Sequence, residues 1–461
     1  MAPNFALTLC LGLIVALFVI ERRRNIRPSF ALWLPTIWML YAGSRPLAYW
    51  FNPEALSALE IDYTEGSAVD RTFLSISILI GLLLLCNRRL NFSKLVSNNL
   101  WLVAFFSYLA VSVLWSDFSA VSLKRWVRIT GDLVMVLIVL IEAHPFEAIR
   151  TLFRRSAFVL LPLSIVLVKY FRDVGVAYSG DGLQTMWIGV TTHKNVLGYV
   201  AMACGLCFVA NIIATWKSRK VSVDLFLLVL SVWLLGGSSS SRSETSLLGF
   251  VLGFSILVMF HLAPKDPAKT NTYRFAVGSI GALLVLIILS VSFDGFQSTV
   301  GNLGRDATLT GRTDIWKAVL DIGPRNPLLG RGYGSFWIGT LGNDVWRQAN
   351  IYGRYNQSHN GFIDIYIELG VLGLTLLAGL IWSAYRDMKQ ALRNHFEYGA
   401  FRLTLLLVIL IHNVTESSFA RPTHFLWFVL LLVCTKVHTV VPRAMAASSS
   451  ESSRRPAFSP E

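Results

Sequence analysis

The sequence predicts an all-α polytopic membrane protein with about 12–13 transmembrane helices and one long outer loop. Three observations carry this prediction. Of the 461 residues, 54% are hydrophobic and 15% are charged, which is too apolar for a soluble chain. The apolar residues come in runs long enough to cross a bilayer, which takes about 20 residues as a helix. Lys and Arg gather in alternate short loops, the pattern of a chain that weaves through a membrane. No internal repeat is visible, nor the strand alternation of an outer-membrane barrel.

The apolar runs place spans at 4–20, 31–50, 72–86, 100–115, 129–141, 156–170, 196–214, 223–236, 246–262, 275–292, 361–383, 403–415 and 424–439. The first lacks a basic leader and a small-residue cleavage site, so it reads as a retained helix. The basic loops are ERRRNIR (21–27), NRRLNFSK (87–94), the stretch with Arg150, Arg154 and Arg155, TWKSRK (215–220), PKDPAKTNTYR (264–274) and YRDMKQALRNHF (385–396). Between the first two, 52–70 carries Glu54, Glu60, Asp62, Glu65 and Asp70 with no Lys or Arg. The basic set belongs in the cytoplasm, so the N-terminus is expected outside and the C-terminus inside. A membrane domain over 1–442 would then be followed by a polar, Ser-rich, disordered cytoplasmic tail over 443–461.

The net charge of +14 would suggest nucleic acid in a soluble protein. Here the loop cations fix orientation, and no nucleic-acid partner is expected. The five cysteines, Cys10, Cys86, Cys204, Cys207 and Cys434, all fall in apolar runs. The CxxC of Cys204 and Cys207 lies inside a span, where it reads as packing rather than as a disulfide or metal site.

This topology puts the longest loop, 293–360, outside. It is far longer than a plain connector. Within it, TDIWKAVLDI (313–322) spaces Ile315, Trp316, Val319 and Ile322 as one helical face. Thr313 or Asp314 can cap that helix, and Gly323-Pro324 stops it. It is expected to lie against the membrane surface. GPRNPLLGRGYGSFW follows and cannot be regular structure throughout.

The informative anomaly is arginine on the outer side. The loop holds Arg305, Arg312, Arg325, Arg331, Arg347 and Arg354 against a single Lys317. Arg242 sits in the outer turn GGSSSSRSE, Lys169 and Arg172 end another span, Lys194 follows in THKN, and Arg421 lies in the last outer loop. Arginine suits forked hydrogen bonding to phosphate or carboxylate, so an anion is expected at this face. The bland alternative is solvated arginines paired with Asp306, Asp314, Asp321 and Asp344.

In YNQSHNGFIDIYIELG (355–370), a polar turn runs into a span. Ser358 or Asn360 can cap that helix, turning its first N–H groups outward. Asn360, Asp364 and Glu368 repeat every four residues and share a face. Glu368 lies about 12 Å along the helix from Asn360. Ionisable groups at membrane depth are costly and face polar cavities. His359 stands at the mouth as a candidate base, histidine being the side chain that titrates near neutral pH. The alternative is that His359 and Asn360 only cap the helix while Asp364 pairs with a structural arginine. His412 and Glu416, one turn apart in IHNVTESSFARP, and His193, Lys194 and Asn195 in WIGVTTHKN reach the same face. Convergence on one face is the stronger argument. No Walker A loop, HExxH, paired CxxC or DxD is present, so neither a metal nor another cofactor is expected.

GRTDIW, then NPLLGRGYGSF, then SHNGFIDIYIELGVLGL resembles the signature of the O-antigen ligase/polymerase family of bacterial inner-membrane enzymes. SSSSRSE matches that family's serine-rich SR turn, and THKNVLG an upstream segment. The resemblance covers about 190–440. THKN and ALWLPTIWMLYAGSRPLAYW look most like the exopolysaccharide-production branch. The resemblance implies a metal-independent glycosyltransferase acting at the periplasmic face of the inner membrane, with 293–360 as a periplasmic catalytic loop. Its donor would be an oligosaccharide on undecaprenyl pyrophosphate. Its acceptor would be a sugar hydroxyl, on another carrier-linked repeat for a polymerase or on lipid A core for a ligase. Membrane lipids, a flippase and a chain-length regulator are the further partners expected. By resemblance, Arg242, Arg312 and His359 are the active residues. Arg331, Lys194, His193, Arg172 and Asn360 are expected to bind substrate, with Asp364, Glu368, His412 and Glu416 in support. A transporter or flippase of lipid-linked sugars is the alternative of another class. It calls for inverted repeats and interrupted helices, and the sequence displays neither.

Overall fold

The computed structural model of the protein describes residues 2–23, 28–51, 67–88, 91–178, 184–215, 221–238, 240–262, 310–323, 326–349 and 356–437. The fold is all-α and polytopic. Among the described residues, seven helices are long and apolar enough to cross a membrane, or eight if the pair Phe92–Asn98 and Leu100–Trp115, bent by 91°, forms one span. Phe30–Ala42, Ser222–Leu235 and Phe425–Cys434 are apolar but shorter. Every predicted span except 275–292 falls on a helix; that span, the loop arginines Arg305, Arg325 and Arg354, and the tail 443–461 lie outside the described residues. Two short strands, Val176–Tyr178 and Thr185–Trp187, pair antiparallel, with Val176 opposite Trp187.

Burial sorts the helices. In Lys194–Thr215, 83% of the apolar window is buried, against 17% in Pro3–Arg22, whose Leu9, Leu11, Leu13, Val15 and Val19 face outward as a lipid-contacting surface would. Phe425–Cys434 is buried along its whole length. At about 15 Å it is too short to cross alone, and neighbours wrap it instead. Lys194–Thr215 packs on Val221–Leu235, Glu244–Leu262, Pro145–Tyr170 and Phe396–Thr415. Cys204 and Cys207 are buried on it with free thiols.

Four expectations are corrected. Arg150, Arg154 and Arg155 do not sit in a loop; the helix Pro145–Tyr170 takes them in. Arg154 is buried there between Glu21 at 3.2 Å and Asp224 at 3.0 Å, so partner carboxylates offset a charge that hydropathy alone counts as a boundary. The helix predicted at 313–322 begins at Thr310, which puts Thr313 and Asp314 inside it rather than at a cap. Its apolar face does not rest on a membrane surface: Ile315, Ala318 and Val319 form a small separate core with Phe336, Val345, Trp346 and Ile367. Finally, an interrupted helix is present. Gly361–Asn394 is broken at Gly370, whose φ of 66° and ψ of −167° leave the helical region. A Cβ at Gly370 would meet the Leu328 carbonyl, which explains why glycine stands there.

The break lets the predicted irregular stretch dock by its backbone. Arg331 N–H donates to the Ile367 carbonyl at 2.9 Å and Gly332 N–H to that of Glu368 at 2.8 Å. In return, Val371 N–H reaches the Pro327 carbonyl and Leu372 N–H that of Leu328. The groups freed by the kink are thus satisfied by protein, as backbone at membrane depth requires.

Candidate functional site

The SHN turn is built locally. Asn360 is the N-cap of Gly361–Asn394, its side chain accepting from Phe362 N–H at 3.0 Å and Ile363 N–H at 3.2 Å. Ser358 Oγ accepts from Asn360 N–H at 3.1 Å and donates to its carbonyl. His359, between them, is held at φ 55°, a left-handed conformation that only a few per cent of non-glycine residues adopt. Gly361 has no room for a side chain, because a Cβ would strike Asn413 and Phe419. Asn413 accepts from Ser418 N–H and Phe419 N–H, so the SHN turn and the loop after Phe396–Thr415 are seated on each other.

That seating brings Glu416 to the turn. Its Oε2 lies 3.1 Å from His359 Nδ1, and its Oε1 accepts from Arg312 at 2.7 Å and from Asn195 Nδ2 at 2.6 Å. Glu416 is buried, which opposes its charge. The His359 hydrogen bond and the positive charge of Arg312 outweigh burial and hold its carboxyl at about 2. An ionised carboxylate only accepts, so His359 Nδ1 is the donor in this contact. Burial pushes the neighbouring His193 down, so it is neutral at pH 7.

A cavity of about 570 Å³ opens here, at the end of the bundle that carries the long loop. His193, Asp364, Glu368, His412 and Glu416 all line it. Asp364 supports the turn and holds an arginine. It accepts from Ser358 N–H at 3.1 Å, Trp337 Nε1 at 3.2 Å and Arg421 at 3.2 Å, and so ties the turn to two neighbours. Glu368 accepts from Gly334 N–H at 2.9 Å. The carboxylate against the His359 ring is Glu416, from a different helix. His412 is buried one turn earlier, with neither ring nitrogen hydrogen-bonded among the described residues.

The other predicted residues are placed as follows. Lys194 donates to the Ser240 carbonyl at 2.9 Å, which brings the SR turn beside THKN. Arg242, in that turn, pairs with Glu244 at 3.1 Å. Arg331 is turned to structure: it caps the end of Thr310–Ile322, donating to Gly323 and Ile322 carbonyls at 2.5 and 2.9 Å. Arg172 is exposed and does not line the cavity. Arg347 keeps the bland role of an exposed pair with Asp344.

Sequence reasoning missed three arginines. Arg45 pins the approach to THKN by donating to the Val174, Gly189 and Thr191 carbonyls at 2.8 to 3.0 Å. Arg125 and Arg128 reach the cavity from the first turns of Ser119–Leu140. The signal was present in KRWVR (124–128), cations at helical spacing on a side where the loop pattern disfavours them.

Residues 226–378 match the O-antigen ligase family. The match takes in Arg242, Arg312, His359, Asp364 and Glu368, and stops short of Glu416. Over 365 residues the chain is 25% identical to the exopolysaccharide production protein ExoQ of Rhizobium meliloti strain 1021, covering 76% of this chain and 79% of that one. It is 23% identical over 274 residues to a candidate polysaccharide ligase of Rickettsia typhi, covering 58% of this chain and 64% of the relative. A candidate polysaccharide ligase of Rickettsia prowazekii is 24% identical over 254 residues, or 52% and 60% of the two chains. The likeness to ExoQ extends beyond the O-antigen ligase segment, since it spans more than twice the residues of 226–378.

Proposed function

We propose that the protein is a glycosyltransferase that moves a glycan from undecaprenyl pyrophosphate to a sugar hydroxyl, as an exopolysaccharide repeat-unit polymerase. The setting is the periplasmic face of the inner membrane, with the N-terminus on that side. The single observation that carries this reading is Glu416 bridging His359 and Arg312 at a polar cavity in a membrane protein. The likeness to ExoQ supports the polymer branch.

The chemistry balances with residues of this chain. The acceptor oxygen attacks the anomeric carbon of the donor sugar while the bond from that carbon to the pyrophosphate oxygen breaks. The hydroxyl proton passes to His359 Nε2, while Glu416 holds the ring through Nδ1. The leaving pyrophosphate gathers negative charge, and Arg312 and Arg242 stabilise it as fixed donors. Attack opposite the leaving group inverts the anomeric centre.

The test is reconstitution in liposomes with carrier-linked repeat units alone. A growing polymer ladder, lost in Arg312→Ala and His359→Ala variants that keep their helical spectra, is the expected result. The names of the Rickettsia relatives favour a second reading, a polysaccharide ligase, for which we take lipid A core as the acceptor. Transfer that begins only when core is added would replace the polymerase reading with that one. Donor crossing the membrane without transfer would sink both.

A further inference from the structure

The cavity has a second pole that the proposed transfer does not use. Arg125 and Arg128 are one helical turn apart on Ser119–Leu140, and both line the cavity. Both lie outside the matched segment 226–378. Arg125 is steadied by protein, donating to the Gly334 carbonyl at 2.5 Å. Arg128 is half-buried and lines the cavity, yet it makes no hydrogen bond or ion pair among the described residues. The carboxylates around it are engaged elsewhere. Asp132, one turn along the same helix, accepts from Trp38 Nε1 at 2.7 Å and Thr423 N–H at 3.0 Å. Glu368 is held by Gly334, and Asp364 by Arg421.

A guanidinium inside a bundle that no protein anion satisfies is costly to keep. Its planar fork matches a carboxylate in two parallel hydrogen bonds. Trp337 lines the same cavity, and its indole is fixed by Asp364 at 3.2 Å, which gives a sugar ring a flat apolar wall. Arg312 and Arg242, assigned above to the pyrophosphate, come from other elements and pair with Glu416 and Glu244.

We infer that Arg128, with Arg125 beside it, forms an acceptor subsite that binds the carboxylate of an acidic sugar. This rests on the reading of the protein as a glycan transferase. It adds that the acceptor carries a negative charge and that this pole selects it. The other source of an anion here is the donor's pyrophosphate, which the experiment separates.

The probes are an oligosaccharide ending in glucuronic acid, the same oligosaccharide with that carboxyl reduced to an alcohol, and inorganic pyrophosphate. Binding of each to the full chain in nanodiscs is measured by calorimetry, with Arg128→Gln and Arg128→Lys as variants. Wild-type protein is expected to bind the acidic probe about tenfold more tightly than the reduced one, or about 1.4 kcal/mol. Arg128→Gln should bring that ratio to about one, and Arg128→Lys, which keeps the charge and loses the fork, to a value between. Pyrophosphate affinity should be unchanged in both. Equal binding of the two sugars by wild-type protein, or a ratio that survives Arg128→Gln, overturns the subsite. Loss of pyrophosphate binding in place of carboxylate preference assigns the pole to the donor and overturns it as well. Discrimination without any transfer would sink the polymerase reading and leave the subsite standing.

Discussion

Glu416→Gln is the sharpest probe of the site, because the substitution keeps size and removes only charge. The carboxylate accepts from Arg312 at 2.7 Å and Asn195 at 2.6 Å through one oxygen and meets His359 Nδ1 at 3.1 Å through the other. A glutamine has one carbonyl oxygen. Whichever way the amide turns, its NH2 faces a donor on the other side. At least one hydrogen bond to a charged group is lost, worth about 1.5–3 kcal/mol, and the survivors weaken. A barrier raised by about 3–4 kcal/mol corresponds to roughly 10²–10³ in kcat. The assay is the initial rate of polymer growth in proteoliposomes, with thermal unfolding as the control for folding. A variant that stays folded and keeps more than about half the wild-type rate would refute the idea that Glu416 organises the base. The pH profile supplies a second check. The carboxyl is held at about 2 in the fold against an ordinary glutamate value of 4.5, so its stabilising contribution is full above about 4.5 and is lost as pH falls towards 2. Any acid limb of activity above pH 5 must then belong to another group, and Glu416→Gln should flatten only the part of the unfolding curve below about 4.5.

Two further outcomes are expected. His424 Nδ1 accepts from Leu426 N–H at 3.2 Å and caps Phe425–Cys434, and burial lowers its pKa to about 3 from 6.5. The unfolded chain then binds a proton that the fold refuses, so stability is full above about 6.5 and declines as pH drops. His424→Asn, which keeps a capping group without titrating, should make the unfolding temperature less sensitive between pH 7 and 5; an unchanged slope would remove His424 from that account. Arg331→Ala should cost about 3–5 kcal/mol, because two carbonyls that end Thr310–Ile322 lose a charged donor. A normal unfolding temperature with weakened substrate binding would instead return Arg331 to a substrate role.

The sequence reveals what depends on local chemistry. Apolar runs mark the helices, Asn360 caps the helix it precedes, and His359, Arg312 and Glu416 meet at the same end of the bundle. What it hides depends on partners far along the chain. Arg154 reads as a loop cation until Glu21 and Asp224 enclose it. The role of Glu416 cannot be separated from those of Asp364 and Glu368 by spacing, because all three are acidic residues near one face. Which of them faces His359 follows from Asn413 seating two loops together. The face of the helix Thr310–Ile322 is plain from its period, but its apolar partner is Ile367, about fifty residues away, where the reading from period alone supplies a membrane. Arg128 looks like any loop cation until its neighbours prove to be taken.

The kink at Gly370 sets a rule about chain length. Four main-chain hydrogen bonds join 327–332 to 367–372, and none depends on a side chain. The ladder asks only for N–H groups at 331, 332, 371 and 372 and for glycine at 330 and 370, where a Cβ would strike the facing backbone, but neither stretch can gain or lose a residue. A single insertion between Pro327 and Gly332 would shift Gly334 away from Glu368 and move the Arg125 anchor with it. Insertions between 335 and 358 leave the ladder alone. Grafting the loop of a relative onto this chain should therefore succeed only when both stretches are moved together, as a matched pair.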